Sequence, residues 1–237
     1  MKIAILLPGH LRSWTTCKQN FLDMLYDTNH QIDVFVDTYD KVFRSDSYSD
    51  AEKSLEIILN KDQIYKLFDG INVVNFNIEP ELVGDAEKLQ IKKMLNVYDS
   101  FHEYEKIHGL YDLVVRSRFD IVLDEKIDYE KIYSECKANP KLIYIGNGGI
   151  ALEENDMFAI STTELMTLYF KSIFDLYHID LQLILEIVKK MGDRFIEIPM
   201  VHKKIIYLAY LYGIQYNRDI GISIVRIDET GTFRRFK

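Results

Sequence analysis

The chain has 237 residues, 48% of them hydrophobic and 28% charged, a composition typical of a soluble globular protein with one domain. Its net charge of −8 argues against general nucleic acid binding, which depends on clustered lysines and arginines. No stretch reaches the roughly 20 apolar residues that a membrane-spanning helix needs, so any membrane contact is expected to be peripheral.

The first half of the chain alternates short apolar runs with amphipathic segments. Strands are predicted at residues 3–7, 33–38, 71–76 and 111–120. Three helices are predicted. The first covers residues 15–26, the second follows a capping-box signature formed by Ser49 and Glu52, and the third covers residues 89–108. This alternation favours an α/β fold with a mostly parallel sheet.

The second half is less regular and is predicted to be richer in helix. Strands at 142–145 and 157–160 flank a glycine-rich turn, and Ser161 with Glu164 forms a capping-box signature for a helix to about residue 174. Further helices are predicted at 181–191 and 201–212, followed by short strands near 215 and at 222–227. We expect a single domain, with a ligand-binding half at about 1–125 and a second half at about 126–237.

Two features of the sequence indicate a reducing compartment. The apolar run at the amino terminus is too short for a signal-peptide core and lacks a cleavage site of small residues. Cys17 and Cys136 have no metal-ligand spacing, and two isolated cysteines are typical of a reduced protein. The prediction is therefore a cytoplasmic location.

The segment Tyr111 to Asp120 is an apolar strand that ends in two arginines and an aspartate. In an α/β sheet, charged residues at the carboxyl end of a buried strand lie where such sheets bind ligands. Arg118 and Asp120 are two residues apart, so their side chains should point to the same side of an extended chain. They could form a salt bridge, or they could serve a phosphate and a metal ion together.

Two other strand ends carry candidate binding residues. After the first strand, Gly9 allows close approach of the backbone to a ligand and Arg12 can grip a phosphate, although a surface turn with a solvated arginine would look the same. Asp37 follows the second strand and could contact a ribose or a base, or it could cap the turn with Asp40. The loop after the first strand matches neither the dinucleotide fingerprint nor the P-loop.

The candidate general base is Asp156, which follows Glu153 and Glu154 and directly precedes the apolar run 157–160. Its place at the edge of a strand holds it better than its two acidic neighbours, for which a solvated turn is the simpler interpretation. His202, at the start of a predicted helix, is more often structural than a metal ligand.

Taken in order, the loop from Pro8 to Arg12, the strand ending in Arg118-Phe119-Asp120 and the segment Asp156-Met157-Phe158-Ala159 resemble small nucleotide-sugar glycosyltransferases of viruses and of bacterial surface-glycan pathways. The resemblance covers about residues 1–175. It implies that the half at about 1–125 binds the donor and that the half at about 126–237 lies on the acceptor side. It implies a GT-A type of fold, a Rossmann-like and mostly parallel sheet between helices. In that family an Asp-x-Asp motif holds a divalent metal against the donor diphosphate.

This chain departs from the family's metal motif. Asp120 matches one aspartate, but residue 118 is arginine and residue 122 is valine. The resemblance therefore leaves two alternatives open. Either Asp120 binds Mn²⁺ or Mg²⁺ with water molecules as the other ligands, or arginines neutralise the diphosphate without a metal.

The resemblance also implies an activity, the transfer of a hexose from a nucleoside diphosphate sugar to a hydroxyl of a glycan acceptor. Arg12, Arg118 and a metal at Asp120 would stabilise the departing diphosphate, and Gly9 would let the backbone approach it. Asp37 would contact the nucleoside, and Asp156 would orient or deprotonate the acceptor. If the chain is viral, its location would be the host cytoplasm. Two alternatives are a nucleotide- or sugar-binding protein without turnover and a sugar-phosphate nucleotidyltransferase.

Overall fold

A computed structural model of the protein describes residues 1–11, 13–44, 55–80, 86–147, 157–178, 212–227 and 233–236. Its strands are β1 (Lys2–Gly9), β2 (Gln31–Tyr39), β3 (Lys41–Arg44), β4 (Leu55–Ile58), β5 (Val73–Glu79), β6 (Leu113–Arg116), β7 (Ile121–Leu123), β8 (Leu142–Asn147), β9 (Ala159–Thr162), β10 (Gln215–Ile227) and β11 (Phe233–Phe236). Its helices are α1 (Trp14–Asn20), continued by a π-helical turn at Phe21–Leu25, α2 (Lys61–Lys66), α3 (Ala86–His108), α4 (Tyr129–Ala138) and α5 (Thr163–His178).

The main sheet has the strand order β5-β2-β1-β6-β9-β8-β10-β11, and β7 pairs with β10. The pairs β1–β2, β1–β6, β2–β5 and β8–β10 are parallel, whereas β9 runs antiparallel to both β6 and β8. Strands β5, β2, β1, β6, β8 and β10 therefore share one direction. The predicted α/β class, with a Rossmann-like and mostly parallel sheet between helices, is confirmed.

Two hydrophobic clusters cover the faces of the sheet, and strand β1 shows why they form. Its side chains alternate: Ile3, Ile5 and Leu7 face a cluster that includes residues of α1, α2 and α4. Ala4 and Leu6 face a second cluster, which is built with residues of α3 and α5. All five of these side chains are fully buried, which explains why the first strand reads as a continuous apolar run.

The helix predicted from the Ser49 and Glu52 signature is wrong where the structure describes it. Residues 45–54 lie outside the described residues, but Leu55–Ile58 forms β4, antiparallel to β3. Pairing with β3 gives these backbone groups partners outside their own segment, and the β-branched Ile57 and Ile58 suit a strand. The capping box of this region lies further on, where Asn60 and Gln63 start α2.

Three further differences concern the second half. Ser161 belongs to β9, where its hydroxyl donates to the carbonyl of Leu142 at 2.6 Å, so it does not cap α5 as predicted. The two short strands predicted near 215 and at 222–227 are one strand, β10, and the sequence did not indicate β7. The helices predicted at 181–191 and, except for its last residue, at 201–212 lie outside the described residues.

Candidate functional site

The carboxyl ends of β1, β2 and β6 lie at the same edge of the sheet, because the three strands are parallel neighbours. Strand β2, which follows β1 in the chain, lies on one side of β1. Strand β6 lies on the other side of β1, and the later strands of the sheet continue outward from β6. A sheet of this kind binds ligands in the crevice outside the carboxyl ends at such a reversal of strand order. The crevice next to β1 and β6 is therefore the candidate functional site.

Gly9 ends β1 with a φ of +114°, a conformation that side chains of L residues rarely adopt. A Cβ atom built on this glycine would meet no atom within 4 Å, so the backbone here borders open space. The next residue, His10, places its ring 4.6 Å from the ring of Tyr39 at the end of β2. Arg12, the predicted phosphate ligand of this loop, lies outside the described residues.

The strand predicted at 111–120 is shorter than expected: β6 ends at Arg116, and residues 119–120 form a turn. Arg118 and Asp120 contact each other beyond the strand, at this turn and not along an extended chain. The Nε of Arg118 donates to one carboxylate oxygen of Asp120 at 2.8 Å, and an Nη donates to the other at 2.7 Å. The Asp120 side chain is 2% exposed and that of Arg118 is 18% exposed. The pair thus buries its negative end and leaves part of its positive end accessible.

Asp120 also lies close enough to helix α1 to influence a thiol there. Burial raises the pKa of Cys17 to about 12, and the negative charge of Asp120 contributes to this increase. The ring of Phe119 packs edge-on against Trp14, with ring centroids 5.6 Å apart. These contacts hold the segment 118–120 against the first turns of α1, beside the loop that follows β1.

Asp37 lies on β2 and is held in a buried ion pair with Lys93 of helix α3. The Lys93 ammonium is 2.5 Å from one carboxylate oxygen of Asp37, and the amide of Asn77 donates to the other at 2.7 Å. Burial raises the pKa of Asp37, and this effect outweighs the opposing effect of Lys93. Both oxygens of Asp37 therefore have partners from the protein itself.

The same ammonium has two further partners at this edge. Lys93 donates to the backbone carbonyl of Thr38 at 2.9 Å and lies 3.2 Å from a carboxylate oxygen of Glu79 on β5. Sequence reasoning missed Lys93. Its position four residues before the buried Val97 places it beside the apolar stripe of α3, and a lysine there is a signal of a buried partner.

Arg116 is the other arginine at the end of the segment Tyr111 to Asp120. Arg116, the last residue of β6, is 1% exposed and places an Nη 3.5 Å from the sulfur of Met94. Asp156, the predicted base, lies outside the described residues, as do Glu153, Glu154 and His202. In the sheet register Ala159 pairs with Arg116, so β9 begins beside the carboxyl end of β6.

The described residues do not fit a divalent metal as they stand. Among themselves they contain no group of three or more histidine, cysteine, aspartate or glutamate side chains that could hold a metal ion. The carboxylate of Asp120 already accepts two hydrogen bonds from Arg118. A metal ion at Asp120 would have to displace at least one of them.

No protein family and no curated protein matches the sequence. Solved structures with a similar fold include the galactosyltransferase LgtC in complex with donor and acceptor sugar analogues (TM-score 0.41, 8% identity, 91% of this chain and 73% of that chain). A second is A197 from STIV, with a TM-score of 0.40 and 8% identity; the match covers 100% of this chain and 93% of that chain. A third is the glycosyltransferase GlyE of Streptococcus pneumoniae TIGR4, with a TM-score of 0.38 and 12% identity; the match covers 92% of this chain and 44% of that chain. At TM-scores of 0.41 or less, none of these likenesses decides the activity of this chain.

Among the helices in the described ranges, none is long and apolar enough to cross a membrane.

Proposed function

We propose that the protein is a glycosyltransferase that moves a hexose from a nucleoside diphosphate sugar to a hydroxyl of a glycan acceptor. The observation that carries the proposal is Arg118, whose side chain is 18% exposed at the reversal of strand order, where an α/β sheet binds nucleotides. Gly9, with its positive φ and the open space next to it, allows a phosphate to approach the backbone from β1. The order of the matching segments from Pro8 to Ala159 supports the same proposal.

In the proposed reaction the bond between the anomeric carbon and the diphosphate oxygen breaks, and a bond from that carbon to the acceptor oxygen forms. The departing diphosphate gains negative charge, which Arg118 and Arg12 would stabilise through charge-assisted hydrogen bonds. The acceptor hydroxyl loses a proton, and Asp156 would take it if the configuration at the anomeric carbon inverts. If the configuration is retained, Asp156 would orient the acceptor instead.

Asp37 would contribute on the nucleoside side of the crevice. Its two oxygens are held by Lys93 and Asn77, so it keeps the end of β2 in register with β5 next to the expected place of the nucleoside. A direct hydrogen bond from Asp37 to the nucleoside, as the sequence predicts, would require one of these partners to move. We place the activity in the cytoplasm, because Cys17 and Cys136 are both free thiols.

The decisive experiment is a thermal-shift screen with UDP-, GDP-, dTDP- and CMP-sugars, followed by assays of hydrolysis and transfer. A bound ligand at about 100 times its Kd adds about 2.7 kcal/mol of stability, which corresponds to a rise in Tm of roughly 5 to 10 °C for a chain of this size. Arg118→Lys should reduce the shift to about half or less, because lysine cannot reproduce the two-donor fork and about tenfold weaker binding leaves about 1.4 kcal/mol of stabilisation. Lys126→Ala is the matched control, since it alters an exposed ion pair with Asp27 away from the crevice.

One alternative has an observation in its favour. With Asp120 engaged by Arg118 and the second aspartate of the family motif replaced, the chain could bind a nucleotide sugar without turning it over. Tight binding with neither hydrolysis nor transfer, across a panel of acceptors, would support this binding protein and refute the enzyme. A shift with CMP-sugars alone would refute the proposal of a diphosphate donor.

A further inference from the structure

We infer that Arg118, and not a divalent cation, neutralises the donor diphosphate, and that Asp120 is the positioning residue that holds this arginine. The inference rests on the proposed function, and it assigns Asp120 a role different from the metal ligand expected of its place in the motif. It follows from which atoms of the two side chains meet and from how deeply each is buried.

The contact occupies one edge of the guanidinium. Arg118 uses its Nε and one Nη toward Asp120, at 2.8 and 2.7 Å. A guanidinium is planar and has a second edge, formed by its two Nη groups, which matches two oxygens of a phosphate. A carboxylate on the first edge fixes the plane and direction of the second. Asp120 therefore orients Arg118 in the way that a second residue commonly orients a ligand-binding side chain.

The difference in burial between Asp120 and Arg118 indicates which of them positions the other and which contacts the ligand. Asp120 is 2% exposed, so its carboxylate offers little surface to an entering ion, whereas 18% of the Arg118 side chain is accessible. A buried carboxylate without a partner is unfavourable, and Arg118 satisfies both of its oxygens at once. The part of the pair that solvent reaches therefore belongs mainly to Arg118.

A metal ion at Asp120 would compete with this arrangement. Binding it would break at least one charge-assisted hydrogen bond and would bring a dication next to the guanidinium. Within the part of the chain that the structure describes, Asp120 does not belong to a group of three or more candidate ligands that could hold such an ion. A diphosphate approaching the Nη edge of Arg118, in contrast, leaves the contact with Asp120 in place.

The test is isothermal titration calorimetry, which measures the Kd of the protein for UDP, GDP and dTDP, first in EDTA and then in Mn²⁺. We expect the Kd of whichever diphosphate binds to agree within about threefold between the two conditions. Arg118→Lys should weaken binding by about tenfold or more, because it removes the fork. Asp120→Asn should weaken it by about tenfold through loss of orientation, with the same value in EDTA and in Mn²⁺.

The outcomes separate the inference from the function on which it rests. A Kd that improves more than tenfold in Mn²⁺, with that improvement lost in Asp120→Asn, would make Asp120 a metal ligand and overturn the inference while leaving the glycosyltransferase proposal standing. Unchanged affinity in Arg118→Lys would overturn it as well. If none of the three diphosphates binds, both proposals fail. The comparison of EDTA with Mn²⁺ uses the unaltered protein, so it remains decisive if a variant does not fold.

Discussion

The buried pair of Asp37 and Lys93 makes a quantitative prediction about stability. Lys93 is fully buried and Asp37 is 1% exposed, and the ammonium also serves the carbonyl of Thr38 and the carboxylate of Glu79. Lys93→Met keeps the length and apolar character of the stem but removes the charge. Removing one partner of a buried pair leaves the other uncompensated, and we expect a loss of about 3 to 5 kcal/mol in the free energy of unfolding.

The loss of stability in Lys93→Met should grow as the pH rises. Burial already raises the pKa of Asp37 above its ordinary value of 3.8, and removing Lys93 takes away the positive charge that opposes this increase. The native variant then holds a proton that the unfolded chain releases above pH 4, so its stability falls as the pH rises through that window. The slope is at most about 1.4 kcal/mol per pH unit for one proton.

The assay is urea unfolding of both proteins between pH 5 and pH 8. Lys92→Met is the matched control, because Lys92 sits on the same helix and also contacts Glu79, but its side chain is 45% exposed; it should change stability by less than about 1 kcal/mol. Adding Asp37→Asn to Lys93→Met should restore a large part of the loss. A Lys93→Met protein within 1 kcal/mol of the unaltered protein, or a gap that does not grow with pH, would refute the reasoning.

Three other predictions concern the surroundings of the site. Gly9→Ala should lower the free energy of unfolding by about 1 to 3 kcal/mol and weaken nucleotide binding, because alanine resists a φ of +114°; urea unfolding and titration calorimetry would show it. Gly221→Ala should destabilise by about 1 to 3 kcal/mol, since its Cβ would lie 2.8 Å from a carboxylate oxygen of Asp124, and Asp124→Ala should restore part of the loss in the same unfolding assay. Stability should fall between pH 9 and 12 as the unfolded thiol of Cys17 ionises first, its native pKa being about 12, and Cys17→Ser should reduce that fall in alkaline unfolding curves.

What could be predicted from the sequence was mainly what local pattern determines. The run 3–7 indicated a buried strand because both of its faces are covered. The contact of Arg118 with Asp120 was expected from an extended chain, but β6 ends at Arg116 and the two side chains meet at a turn that the apolar pattern did not indicate. The pattern at 55–58 misled, because what makes it a strand is its pairing with a separate segment of the chain, Lys41–Arg44. Spacing alone does not reveal such pairings.

The candidate site shows the same division. The strand ends were predictable, because charges after apolar runs mark the edge of a parallel sheet. The partners of those charges were not, since Asp37 meets a lysine 56 positions along the chain on a helix packed across the sheet face. A residue's role as ligand or as structural partner depends on that tertiary contact. Asp37 and Asp120 both stand near the end of an apolar run in the sequence. In the structure Asp37 pairs with a lysine, whereas Asp120 pairs with an arginine.

The pair of Asp37 with Lys93 and the pair of Asp120 with Arg118 differ in the exposure of the cation, and this difference predicts which pair affects stability and which affects ligand binding. Lys93 is 0% exposed and Arg118 is 18% exposed, so only the arginine can reach a ligand without unfolding its surroundings. Lys93→Met should therefore lower stability by several kcal/mol and leave the Kd for a nucleoside diphosphate within about threefold at a temperature where it is folded. Arg118→Lys should show the reverse, because it keeps a charge beside Asp120 and loses the fork. A large loss of affinity in Lys93→Met would instead favour the contact of Asp37 with the nucleoside that the sequence predicts.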